Sequence, residues 1–73
     1  MFGTSAEIVK NIKNRYPQGC RVICNYCADI YNPITQGEKG TVDFVDDMGT
    51  VHIKWDNGRY FGMCLEEDSI SKI

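Results

Sequence analysis

The stretch TVHIKWDNG, residues 50–58, decides the fold that the sequence predicts. Polar and apolar side chains alternate through residues 50–55, which is the pattern of a strand with one face buried. The three residues Asp56-Asn57-Gly58 follow at once, and they are typical of the turn of a β-hairpin. The stretch therefore predicts a strand that turns back into a second, antiparallel strand.

Two registers of this hairpin are open. A two-residue turn would place Tyr60 on the same face as Trp55. A three-residue loop, with Gly58 as a left-handed bulge, would place Phe61 and Met63 there instead. We favour the three-residue loop, because it buries the two larger apolar side chains and leaves Tyr60 facing outward.

Further strands are predicted on both sides of the hairpin, with a long loop before it. The alternation in the strand before the loop favours a core face made of Cys20, Val22, Cys24 and Tyr26. The strand after the loop is expected to point Val42 and Phe44 inward. The predicted segments are strands at 20–27 and 39–46, a loop at 28–37, a tight turn at 65–68 and a closing strand at 69–73.

A helix is predicted at residues 4–15. Thr4 and Glu7 have the spacing of a capping box, in which a hydroxyl group accepts a backbone N–H and the glutamate reaches back. Ile8 and Ile12 then recur at helical spacing, so we expect this stripe to be buried on the sheet or on a partner. Pro17 ends the helix, because the residue before a proline avoids the α region.

These elements predict a mostly β chain with one short N-terminal helix. A sheet of five short strands that closes into a small barrel has no unpaired edge strand, so we predict a barrel. The sequence has 73 residues, enough for one domain. We divide it into an N-terminal helix and linker at 1–18 and a five-stranded barrel at 19–73.

Composition narrows the classes of function. The chain has 8 Lys and Arg against 10 Asp and Glu, a net charge of −2, which disfavours nucleic-acid binders that depend on many cations. It has no apolar run of about 18 residues, so we expect no membrane span. With no recognisable signal peptide, the prediction is a cytoplasmic protein whose 4 cysteines stay reduced.

Three strings carry a family likeness: YP-x-G-x-RV at 16–22, PI-x-x-G-x-KGTV at 33–42 and VDD-x-GTVHIKWDNG at 45–58. Together they resemble a small bacterial and phage family, the family of domains of unknown function numbered 4314. The resemblance implies an SH3-like barrel from a bacterial or mobile-element source. It implies no activity, since none is assigned to that family.

The cysteines raise the question of a metal site. Cys24 and Cys27 have the spacing of one zinc-ligand pair. On a strand, however, they would point to opposite faces, and the residues between them do not form a tight knuckle. We therefore predict that the cysteines are small core residues and that the chain holds no cofactor, with a small structural-zinc protein as an alternative that would use this pair.

An enzyme is not predicted. His52 is the only histidine, and a cysteine nucleophile would need it together with a third, orienting group. No such set is complete, so the expected function is that of a non-catalytic binding module whose partner is a protein or a peptide. A small nucleic-acid-binding barrel is the alternative, and its support would come from Lys10, Lys13, Arg15, Arg21, Lys54 and Arg59.

The expected contact surface combines the loop at 28–37 with the turn at 46–48, because small barrels carry function in loops on a rigid frame. Exposed tyrosines offer both contact area and a hydroxyl group. The sequence leaves the ligand and the oligomeric state open. The candidate ligand-binding residues are Tyr31, Asp46, Asp47, His52 and Tyr60.

Overall fold

A computed structural model describes residues 5–73 as one helix followed by five strands. The order of elements matches the predicted one, and their limits differ from the predicted ones by a residue or two. The elements are α1 (Ala6–Arg15), β1 (Arg21–Tyr26), β2 (Lys39–Val45), β3 (Thr50–Trp55), β4 (Tyr60–Cys64) and β5 (Ser69–Lys72).

All five strands belong to one antiparallel sheet with the order β4-β3-β2-β1-β5. The strands β1 to β4 pair with their neighbours along the chain, and β5 returns to pair with the outer side of β1. The predicted mostly β architecture with five strands behind a short helix is thus confirmed. Within residues 5–73, no ladder joins β4 to β5, so the hydrogen bonding describes an open sheet.

The β3–β4 hairpin has the predicted three-residue loop. The Trp55 N–H donates to the Arg59 carbonyl at 2.8 Å, and the Gly58 N–H donates to the Trp55 carbonyl at 3.0 Å. Gly58 has a φ of 95°, the left-handed conformation that glycine adopts most readily. In this register Phe61 packs against the core, while Tyr60 faces outward.

The helix begins at Ala6, and Ser5 is its N-cap. The Ser5 Oγ accepts a hydrogen bond from the Ile8 N–H at 3.3 Å. The predicted start at Thr4 lies outside the described residues. No helix in residues 5–73 has the length and apolar content to cross a membrane.

The buried side of α1 differs from the predicted stripe. Val9 and Ile12 are buried, whereas Ile8 is 51% exposed. Residues 9 and 12 are three apart and share the side that packs on the sheet, and residue 8 is turned away from it. Ile12 is therefore buried within the chain, which is one of the two predicted places, whereas Ile8 is not buried on the sheet.

The core lies on the inner side of the sheet and is closed by the helix and the long loop. Ile34 in the loop is buried, although no periodic pattern surrounds it. The core residues are Ile12, Tyr16, Val22, Cys24, Ile34, Val42, Val45, Val51, Ile53, Trp55, Met63 and Ile70.

Two predicted core positions are wrong, and both follow irregularities in strand pairing. The β2–β3 register shifts between Val42 and Phe44, so Phe44 turns outward and Val45 takes the inward position. The β1–β5 register shifts between Cys24 and Tyr26, and Tyr26 is 60% exposed. One extra residue in a strand reverses the face of every residue after it.

Candidate functional site

Three aromatic rings lie side by side on the outer side of the sheet, one from each of three neighbouring strands. Phe44 comes from β2, His52 from β3 and Tyr60 from β4. The Phe44 and His52 rings are stacked, with centroids 4.4 Å apart and planes at 7°. The centroids of His52 and Tyr60 are 6.3 Å apart. We call these three side chains the aromatic face.

The aromatic face is open to solvent. Phe44 is 48% exposed and Tyr60 is 52% exposed, while His52 between them is half-buried. About half of the surface of Phe44 and of Tyr60 is therefore left uncovered by residues 5–73. Contiguous apolar surface of this kind is a feature of interaction sites.

Gly62 lies beside the aromatic face, at a position where a side chain would meet Thr50. Gly62 lies opposite His52 in the β3–β4 ladder. A Cβ atom at this glycine would lie 2.8 Å from the Thr50 Cγ2 and 3.5 Å from the His52 Nδ1. The contact with Thr50 is too close and the contact with His52 is an ordinary one, so the glycine leaves room for the Thr50 side chain beside His52.

Asp46 holds the imidazole in place from the β2–β3 turn. Its Oδ1 accepts hydrogen bonds from the Met48 N–H at 2.9 Å and the Thr50 N–H at 3.0 Å. Its Oδ2 lies 2.8 Å from the His52 Nε2. Because a carboxylate can only accept hydrogen bonds, we place a hydrogen atom on the His52 Nε2, which donates it to Asp46. These bonds hold the pKa of Asp46 below its ordinary value, and the bond with His52 has the largest effect.

Asp43 borders the aromatic face on the other side. The Tyr60 hydroxyl donates a hydrogen bond of 2.6 Å to the Asp43 Oδ2. This bond is the main reason why the pKa of Tyr60 lies above its ordinary value, so the phenol remains a neutral donor at physiological pH. The result is a carboxylate fixed at the edge of an exposed ring.

A groove of about 400 Å³ continues from the aromatic face toward the helix. It is lined by residues 43–45 of β2 together with Lys13 and residues 16–18. Lys13 is itself paired, because its Nζ donates to the Asp47 Oδ1 at 3.0 Å. This bond also connects the helix to the β2–β3 turn.

The structure brings together four of the five predicted ligand-binding residues. Asp46, His52 and Tyr60 are part of the aromatic face or in contact with it, and Asp47 is paired with Lys13, which lines the groove. Tyr31 is 89% exposed in the long loop. No ring contact or hydrogen bond in residues 5–73 connects it to the aromatic face.

Sequence reasoning missed Phe44 and Asp43 as site residues. The sequence predicts Phe44 in the core, because strict alternation from Val42 points it inward. The extra residue in β2 reverses the direction of Phe44, which thereby joins Asp43 on the outer side. No turn residue or glycine marks the bulge, so the sequence alone offered no signal for it.

The long loop is fastened to the hairpin. The guanidinium group of Arg59 donates to the carbonyl groups of Asn32 at 2.8 Å and Pro33 at 3.2 Å. At the start of the loop, the Ala28 N–H donates to the Asp68 Oδ1 at 2.7 Å. Tyr31 is therefore carried on a loop that is held at its start and at its middle.

The cysteines are free thiols in and around the core. Cys24 is buried, its Sγ lies 3.8 Å from the Ile34 carbonyl oxygen, and burial raises its pKa. Cys27, its partner in the predicted zinc pair, packs against the core at the strand end. The described part of the chain, 5–73, contains no group of three or more side chains placed to hold a metal ion.

Comparison with known proteins gives one result that covers nearly the whole chain. No curated protein matches the sequence. A family model does match it, from the N-cap of α1 to the last residue. The chain belongs to the family described as Domain of unknown function (DUF4314), whose model matches residues 5–73.

Proposed function

We propose that this protein is a non-catalytic module that binds a protein or a peptide through the aromatic face. The observation that carries the proposal is the stack of Phe44 on His52 beside Tyr60, with two of the three rings half-exposed. Tyrosine and other aromatic residues supply much of the energy of protein interfaces. The groove next to the face would receive the flanking residues of the partner.

The face is ordered before any partner arrives, which supports this proposal. His52 is held by Asp46, and the Tyr60 hydroxyl is held by Asp43. Side chains that are already fixed lose little entropy on binding. A small surface can then bind with useful affinity.

The proposed frame for this face is an SH3-like barrel from a bacterial or phage protein. Its support is the strand order, in which a four-stranded meander is followed by a last strand that returns beside the first. In addition, β4 and β5 contact each other across the tight turn that joins them. Curling of the sheet in this way would bring its two edges together.

The proposal assigns no reaction and no cofactor to the chain. The imidazole of His52 is bonded to Asp46 and stacked on Phe44, and the hydrogen bonds described for residues 5–73 bring no thiol or hydroxyl nucleophile to it. We take the protein to act in the cytoplasm, since free thiols suit a reducing compartment.

A comparison of three variants with the wild type tests the proposal. Tyr60→Ala and Phe44→Ala each remove a ring of the aromatic face, and Tyr26→Ala removes a tyrosine of similar exposure on β1. Each protein would be used as bait in a bacterial lysate, and the captured proteins would be quantified by mass spectrometry. We expect a stoichiometric partner that Tyr26→Ala retains and that Tyr60→Ala and Phe44→Ala lose. Equal capture by all four baits, wild type included, would contradict the proposal.

A further inference from the structure

We propose that the partner presents a lysine or arginine side chain to Asp43, at the edge of the aromatic face. This inference rests on the proposed function and adds the chemistry of the partner. It is carried by one carboxylate that is bonded to the Tyr60 hydroxyl and that lines the groove together with Phe44.

Asp43 differs from the two other carboxylates near the face in what it contacts. Asp46 is bonded to the His52 ring, and Asp47 is paired with the Lys13 ammonium group. In residues 5–73, Asp43 has a hydrogen bond only from the neutral Tyr60 phenol and forms no ion pair. Its negative charge is thus oriented but not neutralised.

The surroundings of Asp43 suit a cation with an apolar stem. An ammonium or guanidinium group is attracted to the face of an aromatic ring, and Tyr60 and Phe44 both have exposed surface beside the carboxylate. The long side chains of lysine and arginine keep their stems on apolar surface while the charge reaches a polar group. The groove provides room for such a stem along Phe44.

The charges of the whole surface favour the same partner. Three carboxylates, those of Asp43, Asp46 and Asp47, lie near the face, together with the ammonium groups of Lys13 and Lys54. Lys13 is held by Asp47, and Lys54 lies opposite Tyr60 on the outer side of β3. The carboxylates near the face thus outnumber the ammonium groups by one. A positive side chain of a partner would balance this charge, whereas an acidic peptide would be repelled.

Selection of peptides from a random phage-displayed library tests the inference. The wild-type protein would be the target, and selected peptides would be synthesised and titrated against wild type, Phe44→Ala, Asp43→Asn and Glu66→Gln. The last two variants remove the same charge, and Glu66 is exposed in the β4–β5 turn. We expect the selected peptides to be enriched in Lys or Arg. They should bind Asp43→Asn at least about fivefold more weakly than wild type and bind Glu66→Gln as tightly as wild type. Their affinity for the wild-type protein should fall as salt is added.

The other outcomes separate the two proposals. Peptides that need Phe44 but are not enriched in Lys or Arg, and that bind Asp43→Asn normally, would overturn the cation inference and leave the proposed function standing. A library that yields no peptide dependent on Phe44 would overturn both. Tyr60→Phe keeps the ring and the charge but removes the bond that orients the carboxylate. It should therefore weaken peptide binding less than Asp43→Asn does, and an equal or larger loss would show that the tyrosine hydroxyl, and not the charge of Asp43, makes the contact. Circular dichroism would establish that each variant is folded.

Discussion

At the scale of single residues, the neighbours of Gly40 across the β2–β3 ladder leave no room for a side chain at this position. A Cβ atom here would lie 2.6 Å from the Ile53 Cγ2, 2.9 Å from the Trp55 Cε3 and 3.0 Å from the Lys54 carbonyl oxygen. One of these neighbours is backbone and the others are core side chains, so none can move cheaply. We expect Gly40→Ala to lower the free energy of unfolding by about 1–3 kcal/mol, measured by urea denaturation.

A neighbouring substitution provides the control for Gly40. Lys39 lies beside it in β2 with an exposed side chain. Lys39→Ala should change the free energy of unfolding by less than about 0.5 kcal/mol, because it opens no cavity and causes no clash. Equal effects of the two substitutions would show that the close packing around Gly40 does not limit stability.

Asp46 should make stability depend on acid pH. Its pKa is lowered in the fold, chiefly by the hydrogen bond with His52. Such a group stabilises the fold fully above its unfolded pKa of about 3.9 and loses this contribution as the pH falls through the folded pKa. Asp46→Asn keeps an oxygen atom for the turn but carries no charge.

The measurement is chemical denaturation of wild type and Asp46→Asn at about pH 4.5 and about pH 2.5, below the range in which an imidazole titrates. We expect wild type to lose more stability over this interval than the variant. Protonation of other carboxylates, such as that of Asp56 beside Arg21, lowers the free energy of unfolding of both proteins equally and does not affect the difference between them. If both proteins lost the same amount, the carboxylate of Asp46 would have no differential role in the folded state.

At the scale of elements, the β3–β4 hairpin depends on the left-handed conformation of Gly58. Its φ is 95°, and a Cβ atom there would meet nothing within 4 Å, so only backbone strain opposes a side chain. Gly58→Ala should cost about 1–2 kcal/mol of stability, and Gly58→Asn should cost less, since asparagine tolerates this region better. Thermal unfolding of both variants checks the order, and an alanine variant as stable as the asparagine variant would contradict it.

The helix offers a matched pair of isoleucines. Ile12 is buried against the core, whereas Ile8 on the same helix is half-exposed. Ile12→Ala should lower the free energy of unfolding by about 2–4 kcal/mol, and Ile8→Ala by less than about 1 kcal/mol. Urea denaturation of both variants measures the difference. A similar cost for both would mean that α1 does not stabilise the sheet through Ile12.

The elements also show what the sequence could predict. The alternation around Ile53 and the residues of the Gly58 loop give the hairpin and its register, because both depend on neighbours along the chain. The bulge before Phe44 depends on how β2 pairs with β3, which no local pattern records. The candidate site was therefore half predicted: His52 and Tyr60 were expected outside, and Phe44 was expected in the core.

At the scale of the whole molecule, the long loop was the least predictable part. Its start is held by Asp68 and its middle by Arg59, two side chains far away in sequence. Its Ile34 enters the core although the residues around it have no period. Such contacts depend on the completed sheet, so a loop that looks free in sequence becomes part of the packed structure.

The distribution of charge over the molecule leads to the last prediction, that the protein does not bind nucleic acid. Of the six cations that could contact phosphates, Arg21 forms two bonds to the Asp56 carboxylate, Lys13 is paired with Asp47, and Arg59 is bonded to loop carbonyl groups. The net charge of −2 adds repulsion from a polyanion.

A gel-shift experiment at low salt is the most sensitive test, because the electrostatic part of binding is largest there. Non-specific binders have dissociation constants of about 10⁻⁴ to 10⁻⁶ M at physiological salt, and they bind more tightly at lower salt. We expect no shift of single- or double-stranded DNA or RNA at about 100 μM protein in about 20 mM salt. A shift that disappears as salt is added, and that weakens in Lys54→Ala, would contradict the prediction and place phosphate contacts beside Tyr60 on the aromatic face.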